Sequence, residues 1–156
     1  MRFRILLFIL IILASGCASV EVCDEDYDSE LIARFKTRHE GVPADTTVSS
    51  LTLYGIREGL SDSLLYDSIS TADFIVPLDP QQDVSRFVVQ LDTLSDTLVV
   101  YHERQFYMIS YGCGFGTLFT LNDIGTSSGM IKMDSIINDM VDAEYETDEV
   151  HLWLYL

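Results

Sequence analysis

Hydrophobic and polar residues alternate with a period of two along much of the chain, and this period is typical of half-buried β-strands. The clearest run is 31–38, where the apolar set Leu, Ala and Phe alternates with Ile, Arg and Lys. A second run lies at 51–56. Two β-branched runs, at 86–91 and 97–103, flank the turn-prone stretch 92–96 and predict a hairpin with a five-residue turn.

Weaker strand signals lie at 64–69, 74–76, 106–111, 117–121 and 150–156. Pro77 and Pro80 follow the second of these and suit an edge position or a strand end, since proline cannot donate to a ladder. The stretch 131–141 fits a helical stripe by spacing, but the Asn138-Asp139 turn signal and the neighbouring strands favour a strand at 131–137. Roughly eight to ten short strands predict an all-β fold, an immunoglobulin-like β-sandwich over residues 31–156.

The first 16 residues have the pattern of an export signal. A basic start, Met1–Arg4, precedes nine unbroken apolar residues and then the small residues Ala14-Ser15-Gly16. Cys17 follows directly, so the junction resembles a lipobox, in which the thiol takes a diacylglyceryl group and cleavage frees the amine. Two or three acyl chains would hold the protein stably to a membrane. The alternative, an uncleaved helix over 5–20, would span about 24 Å, which is short of a hydrocarbon core of about 30 Å.

The net charge of the chain limits the classes of partner that it can bind. The chain has 9 Lys+Arg against 25 Asp+Glu, a formal charge of −16, and loss of Arg2 and Arg4 with the signal would give 7 − 25 = −18. Such a chain repels nucleic-acid phosphates and anionic headgroups, which excludes nucleic acid as a partner. Residues 17–30 would form the lipidated N-terminus and an acidic tether, extended by self-repulsion. We therefore expect the membrane as a partner through the lipid on Cys17, in the cell envelope, with Ala18 favouring the outer membrane by analogy with enteric sorting.

The chain has three cysteines: Cys17, Cys23 and Cys113. If Cys17 carries lipid, two remain and one pairing is available. In an oxidising envelope compartment a Cys23–Cys113 disulfide is favoured, and it would stabilise the domain by about 4–5 kcal/mol in the chain-entropy model. Two buried free thiols stay open as the alternative.

Several short elements occur in a fixed order after the lipobox and the nearby cysteine: Leu31-Ile32-Ala33-Arg34-Phe35, Leu51-Thr52-Leu53-Tyr54-Gly55, Asp96-Thr97-Leu98 and Ser110-Tyr111-Gly112-Cys113-Gly114-Phe115. This series resembles a family of small, uncharacterised Bacteroidetes-type lipoproteins, known as a domain of unknown function. The resemblance covers nearly the whole mature chain. It implies a β-sandwich lipoprotein, supports the Cys23–Cys113 pairing, and implies no catalytic residue.

Metal chemistry finds little support in the sequence. The three histidines show no ligand spacing of the known zinc motifs, and these are His39, His102 and His151. A calcium-loop start is mimicked by Asp24, Asp26 and Asp28. However, Ser29 and Phe35 stand where such a loop needs Gly and a bidentate Glu. We expect surface histidines rather than metal ligands. We also expect no metal site and no cofactor, with weak calcium binding by the tether as the alternative.

The glycine-rich stretch 112–116 superficially suggests a phosphate loop or a cysteine nucleophile. A phosphate loop needs a helix N-terminus after it, whereas the following segment 117–121 is strand-like. A nucleophilic Cys113 needs a basic partner to form thiolate. His102 could approach it across a hairpin, but a disulfide would consume the thiol.

The basic row Arg34, Lys36 and Arg38 is a candidate binding face for an acidic ligand or partner. More commonly, such a row is a solvated strand face that keeps an edge from pairing with another chain. We therefore expect a non-catalytic, lipid-anchored binding or assembly module with an envelope protein partner. The alternatives are an envelope hydrolase that uses Cys113 or a cross-strand His/Asp set, and a calcium-dependent adhesion-type module.

Overall fold

The computed structural model of the protein describes residues 29–142 and 149–156, and these residues form eleven strands and no helix. The strands are β1 (Glu30–His39), β2 (Val42–Asp45), β3 (Val48–Ile56), β4 (Ser63–Thr71), β5 (Asp73–Pro77), β6 (Val84–Leu91), β7 (Leu94–Ser110), β8 (Gly114–Thr126), β9 (Lys132–Ile136), β10 (Met140–Val141) and β11 (Leu152–Tyr155). The predicted signal peptide 1–16, Cys17, Cys23 and the aspartates at 24, 26 and 28 lie outside the described residues.

The strands form two sheets that pack face to face. The first sheet has the order β2-β1-β11-β9, and β5 also pairs with β1. The second sheet has the order β10-β8-β7-β6-β3-β4. The all-β sandwich expected from the sequence is thereby confirmed.

The core between the sheets is built from alternate residues of strands on both sides. Its fully buried members include Leu31, Phe35, Leu51, Leu53, Phe74, Val89, Leu98, Ile131, Leu152 and Leu154. This alternation is the period of two that the sequence shows, because successive side chains of a strand point to opposite faces. Burial of these side chains is the main stabilising contribution to the fold.

Strand β1 joins the first sheet together. Its residues 36–39 pair with β2 and its residues 30–34 pair with β5, both antiparallel. On its other side β1 pairs with the C-terminal strand β11 in parallel. The predicted strands at 31–38 and 150–156 are therefore confirmed, and the structure adds that they are neighbours.

The hairpin between β6 and β7 is real, but the five-residue turn expected at 92–96 is wrong. Leu91 pairs with Leu94, so the turn has only Asp92 and Thr93 at its tip. Asp92 adopts a φ of 52°, a left-handed conformation that Asp tolerates better than most residues. Asp96 looked like a turn residue in the sequence, whereas it is a buried strand residue that caps another loop.

The strands expected separately at 97–103 and 106–111 are one continuous strand, β7. Polar residues at 104 and 105 interrupt the apolar pattern, but both still pair with β8. Arg104 also has its own partners, since its Nε donates to Asp83 at 2.6 Å and its Nη1 donates to the Pro80 carbonyl at 3.1 Å. The strand expected at 117–121 is likewise longer and forms β8.

The remaining strand predictions are confirmed. The ambiguous stretch contains a strand, β9, which pairs antiparallel with β11. Among the described strands, β5 pairs only with β1, which is the edge position that the following prolines predicted. The phenol of Tyr66 covers this edge, because it accepts from the Ile75 amide at 3.0 Å and donates to the Ile75 carbonyl at 3.1 Å.

Candidate functional site

The basic row Arg34, Lys36 and Arg38 lies on the outer face of the first sheet. This placement follows from the strand period, because Leu31, Ala33 and Phe35 of the same strand are fully buried in the core. The row does not guard a sheet edge, which was the commoner role expected for it. Strand β1 has neighbours on both sides, so its backbone is already paired.

Arg34 and Lys36 have carboxylate partners on neighbouring strands. Arg34 donates to Asp73 at 3.1 Å, across the pair of β1 with β5. Lys36 Nζ contacts the Asp45 carboxylate at 2.5 Å, across the pair of β1 with β2. The hydrogen bond from Lys36 lowers the pKa of Asp45, so this carboxylate stays ionised.

Two aromatic rings of β11 complete this face. Lys36 Nζ lies 4.6 Å from the ring centre of Trp153, and the guanidinium carbon of Arg38 lies 4.8 Å from that of Tyr155. Both distances are within the range of cation–π attraction. The parallel register of β1 with β11 causes the arrangement, because Arg34 pairs with Trp153 and Lys36 with Tyr155. Each ring therefore reaches the cation two positions further along β1.

We call this set the cation–aromatic ladder: Arg34, Lys36, Arg38, Trp153, Tyr155, Asp45 and Asp73. A shallow depression adjoins it, where Asn138 Nδ2 donates to Glu149 at 2.7 Å beside Arg34 and Trp153. The sequence identified the cations alone. The alternation of Trp153 and Tyr155 in the last strand was visible, but nothing local indicates that β11 runs parallel to β1.

The second sheet contains a buried Ser–His pair. The sequence pointed to the histidine but not to the serine. Ser85 Oγ and His102 Nε2 are 3.0 Å apart on the neighbouring strands β6 and β7. The Asp79 amide also donates to Ser85 Oγ, at 2.7 Å. Ser85 is 4% exposed and His102 is 1% exposed, and the imidazole edge packs on Phe119.

The geometry of this Ser–His pair is that of a buried packing contact. In a catalytic triad, a third group accepts from the other imidazole nitrogen and orients the ring. His102 Nδ1 has no such hydrogen-bond partner in the part of the chain that the structure describes. Burial lowers the pKa of His102 below its usual value, so the ring is neutral at pH 7.

His151 also has a structural role. Its Nδ1 accepts from the Ile32 amide at 3.0 Å, and its own amide donates to the Ile32 carbonyl at 2.9 Å. The carbonyl of His151 accepts from the Ile137 amide at 2.8 Å. Burial lowers the pKa of His151, and its contacts link β1 to the segment after β9.

The structure does not bring the sequence-predicted reactive groups together. His39 is exposed at the end of β1, as expected for a surface histidine. The same expectation is wrong for His102, buried on β7, and for His151, buried directly before β11. Cys113 lies in the turn between β7 and β8, where its amide donates to Ser110 Oγ at 3.1 Å. In the described ranges 29–142 and 149–156, no group of three or more His, Cys, Asp or Glu side chains could hold a metal ion.

The turn between β7 and β8 is surrounded by exposed large apolar side chains, namely Phe106, Met108, Tyr111 and Phe115. We call these four residues the hairpin tip. Met108 pairs with Phe115 across the two strands, so these two side chains lie on the same face. Such clustering marks interaction surfaces more often than single exposed apolar residues do.

These features define the class of protein: an all-β sandwich with a cation–aromatic ladder on one sheet and an aromatic hairpin extending from the other. The chain belongs to the family described as Family of unknown function (DUF6452), whose model matches residues 50–156. No curated protein and no solved structure matches the chain. Among the residues that the structure covers, no helix is long and apolar enough to cross a membrane.

Proposed function

We propose that this chain is a lipid-anchored protein of the cell envelope that acts as a non-catalytic binding or assembly module. Membrane attachment would come through acyl chains on Cys17 after removal of residues 1–16. The basic start, the nine-residue apolar run and the small residues before the cysteine support this proposal. An anchor of two or three acyl chains needs no basic membrane-binding face, which suits a chain with a formal charge of −16.

The positions of the candidate catalytic residues support the proposal that the protein is not a catalyst. The hydrolase alternative requires either a thiolate at Cys113 with a base or a cross-strand His/Asp set. His102 instead contacts Ser85 through Nε2 and lies in the core, and His151 accepts from the backbone of Ile32. Buried imidazoles with lowered pKa values and structural partners offer no surface-accessible base.

The cation–aromatic ladder is the surface that we propose for partner binding. Arg34 and Lys36 are ion-paired with Asp73 and Asp45, so the ladder would not act as a simple receptor for acidic ligands. The exposed edge of this ladder combines carboxylates, cations and an indole, which is the mixed chemistry of protein-binding surfaces. An envelope protein partner therefore fits it better than a small anion.

Two further proposals concern the membrane that holds the protein and the pairing of its cysteines. We propose that the protein is a Bacteroidetes-type lipoprotein of the outer membrane, and that Cys23 and Cys113 form a disulfide. The turn position of Cys113 is compatible with this bond. Alkylation of the denatured, unreduced protein should then label neither cysteine. A labelled Cys113 would contradict the disulfide and is the result that a cysteine hydrolase requires.

Cell fractionation of a Cys17→Ser variant tests the anchor. The parent protein should sediment with membranes, whereas the variant should appear in the soluble fraction, because serine cannot take the thioether-linked lipid. Ser15→Ala is the matched control, since it keeps a small residue before the same thiol and should fractionate as the parent does. Equal membrane association of the Cys17→Ser variant would overturn the proposal.

A further inference from the structure

One face of the hairpin formed by β7 and β8 is buried in the core at one end and exposed near the turn. Even-numbered residues of β7 face the first sheet, and Leu98, Val100 and His102 are buried there. Arg104, which pairs with Asp83, interrupts the apolar residues of this face. Beyond it, the face carries Phe106 and Met108, and these two side chains are 62% and 48% exposed. The strand face has therefore lost the cover that the first sheet gives it lower down.

The end of the hairpin is still more exposed. Tyr111 is 100% exposed and Phe115 is 74% exposed, and Gly114 takes a φ of 78° that closes the turn. Three aromatic rings and a thioether thus surround one turn. Exposure of this much apolar surface costs free energy in water, so a cover for it would be stabilising.

The hairpin tip lies in an uncharged part of a highly charged chain. Residues 105–122 contain no Asp, Glu, Lys or Arg, although the whole chain has 9 + 25 = 34 such residues. A surface that meets hydrocarbon or lipid headgroups must avoid buried charge, which is expensive there. Tyrosine and other amphipathic aromatic residues are favoured at the membrane interface.

The described chain begins beside this tip. Ser29 Oγ donates to the Thr117 carbonyl at 2.6 Å, and Thr117 pairs with Phe106. Ser29, Thr117 and Cys113 also line one recess of about 450 Å³ below the turn. The segment that leads back to Cys17 therefore leaves the domain at the end that carries the aromatic rings.

The length of that segment limits how far the tip can lie from an anchor. Ser29 lies twelve positions after Cys17, and a span of twelve positions reaches at most about 43 Å when fully extended. A Cys23–Cys113 bond would shorten the span between the lipid and the turn to the six positions from Cys17 to Cys23, with a reach of about 20 Å. Either limit keeps the hairpin tip within diffusional contact of the bilayer.

We propose that the hairpin tip inserts Phe106, Met108, Tyr111 and Phe115 into the interfacial region of the lipid bilayer that holds the anchor. This proposal rests on the proposed lipid attachment and adds a second, non-covalent membrane contact. Insertion orients the sandwich with β7 and β8 pointing to the membrane. The cation–aromatic ladder of the first sheet then faces away from the lipid hydrocarbon and stays open to partners.

Tryptophan fluorescence of the lipidated full-length protein in phosphatidylcholine vesicles tests the insertion. Trp153 is the single tryptophan of the chain, so Trp153→Phe gives a silent background. Phe115→Trp in this background reports on the tip. Leu94→Trp is the matched control, because Leu94 is 61% exposed and is the first residue of the 17-residue strand β7. It lies at the end of the strand opposite the tip, roughly 50 Å away along the strand.

We expect the emission of the Phe115→Trp protein to shift to shorter wavelength on reconstitution and to be quenched by brominated phosphatidylcholine. The Leu94→Trp protein should show neither effect. Equal emission and quenching of the two reporters in protein that floats with the vesicles would overturn tip insertion while leaving the anchor intact. Failure of every variant to float would instead overturn the lipid attachment.

A third outcome separates lipid from a cover supplied by protein. The non-lipidated Cys17→Ser chain with the tip reporter should emit as an exposed tryptophan in buffer without vesicles. A short-wavelength emission there would mean that residues 17–28 or a second copy cover the tip, and this would also overturn the proposal. The melting transition of each variant shows that it is folded before its fluorescence is compared.

Discussion

At the scale of single residues, buried polar side chains of this protein organise its loops. The carboxylate of Asp96 is the clearest case, because it accepts five hydrogen bonds, from the amides of Thr97, Ser127, Ser128 and Ile131 and from Ser127 Oγ. Burial alone would raise the pKa of Asp96, but these hydrogen bonds outweigh it and hold the pKa well below its usual range. Asp96 thus fixes the loop from β8 to β9.

Asp96→Asn should destabilise the fold by about 1–3 kcal/mol at pH 7, because the amide nitrogen cannot accept the Ile131 amide and leaves a buried donor unpaired. Since the folded-state pKa of Asp96 is depressed, its contribution is present above about pH 4 and is lost as the pH falls further. Urea unfolding at pH 7 and at pH 3 should therefore show the gap between parent and variant narrowing.

The exposed turn residue Asp92 offers the control for this experiment. Asp92→Asn keeps a residue type that tolerates the positive φ, and its effect should stay within about 0.5 kcal/mol. Equal stability of the parent and the Asp96→Asn variant at pH 7 would contradict the loop-fixing role.

His102 gives a second pH-dependent prediction. Its folded-state pKa is lowered by burial, so the unfolded chain binds a proton more readily once the pH falls below about 6.5. Its effect on stability is therefore absent at pH 8 and becomes destabilising on acidification. The loss of stability of the parent between pH 8 and pH 5.5 should be smaller in a His102→Gln variant.

Chemical denaturation at these two pH values measures the difference. His39→Gln is the control, because His39 is exposed at the end of β1 and should leave the pH dependence of the parent unchanged. An identical pH dependence in the His102→Gln variant would show that His102 does not stay neutral in the folded protein.

At the scale of elements, the ladder shows how register creates a surface. The cations alternate along β1, the rings alternate along β11, and the parallel pairing brings the two sets within contact distance. The carboxylates arrive from β2 and β5 on the opposite side of β1. Three strands thus contribute side chains to one patch around β1.

Lys36→Met tests the ladder, because methionine keeps an apolar side chain near Trp153 and removes the charge. We expect the pKa of Asp45 to rise towards its ordinary value, since the hydrogen bond from Lys36 is the main cause of its lowering. Stability should fall only slightly, because Asp45 is exposed and solvent screens the ion pair. NMR titration of the Asp45 carboxylate gives the pKa.

Arg38→Met is the matched change on the same strand. Arg38 lies over Tyr155 and is not among the causes of the Asp45 shift, so the pKa of Asp45 should stay where the parent has it. An unchanged Asp45 pKa in the Lys36→Met variant would mean that the ion pair does not persist in solution.

Local patterns predicted the elements better than their partners. The alternation at 31–38 and 51–56 identified β1 and β3 and their buried faces. It could do so because the apolar or polar character of each side chain shows which face of the strand is buried. The turn at 92–96 was misjudged because Asp96 has a turn-forming residue type, whereas its carboxylate serves a loop more than 30 positions away. The pairs Ser85–His102 and Lys36–Trp153 depend on register between strands, and no local pattern of the chain specifies that register.

At the scale of the whole molecule, the sandwich separates two surfaces. The first sheet presents the cation–aromatic ladder, and the second sheet extends the uncharged hairpin tip. The described chain begins beside that tip, at Ser29. This separation of the two surfaces suits the proposed lipid attachment of the N-terminus, which leaves the cation–aromatic ladder available to partners.

The intact mass of the native protein purified from cell membranes tests the anchor most directly. We expect a chain that lacks residues 1–16 and carries two or three acyl chains on an N-terminal Cys17. Release of the fatty acids by alkaline hydrolysis should lower the mass by the corresponding amount. A native chain that begins at Met1, or one that begins at Cys17 without added mass, would contradict the lipid attachment.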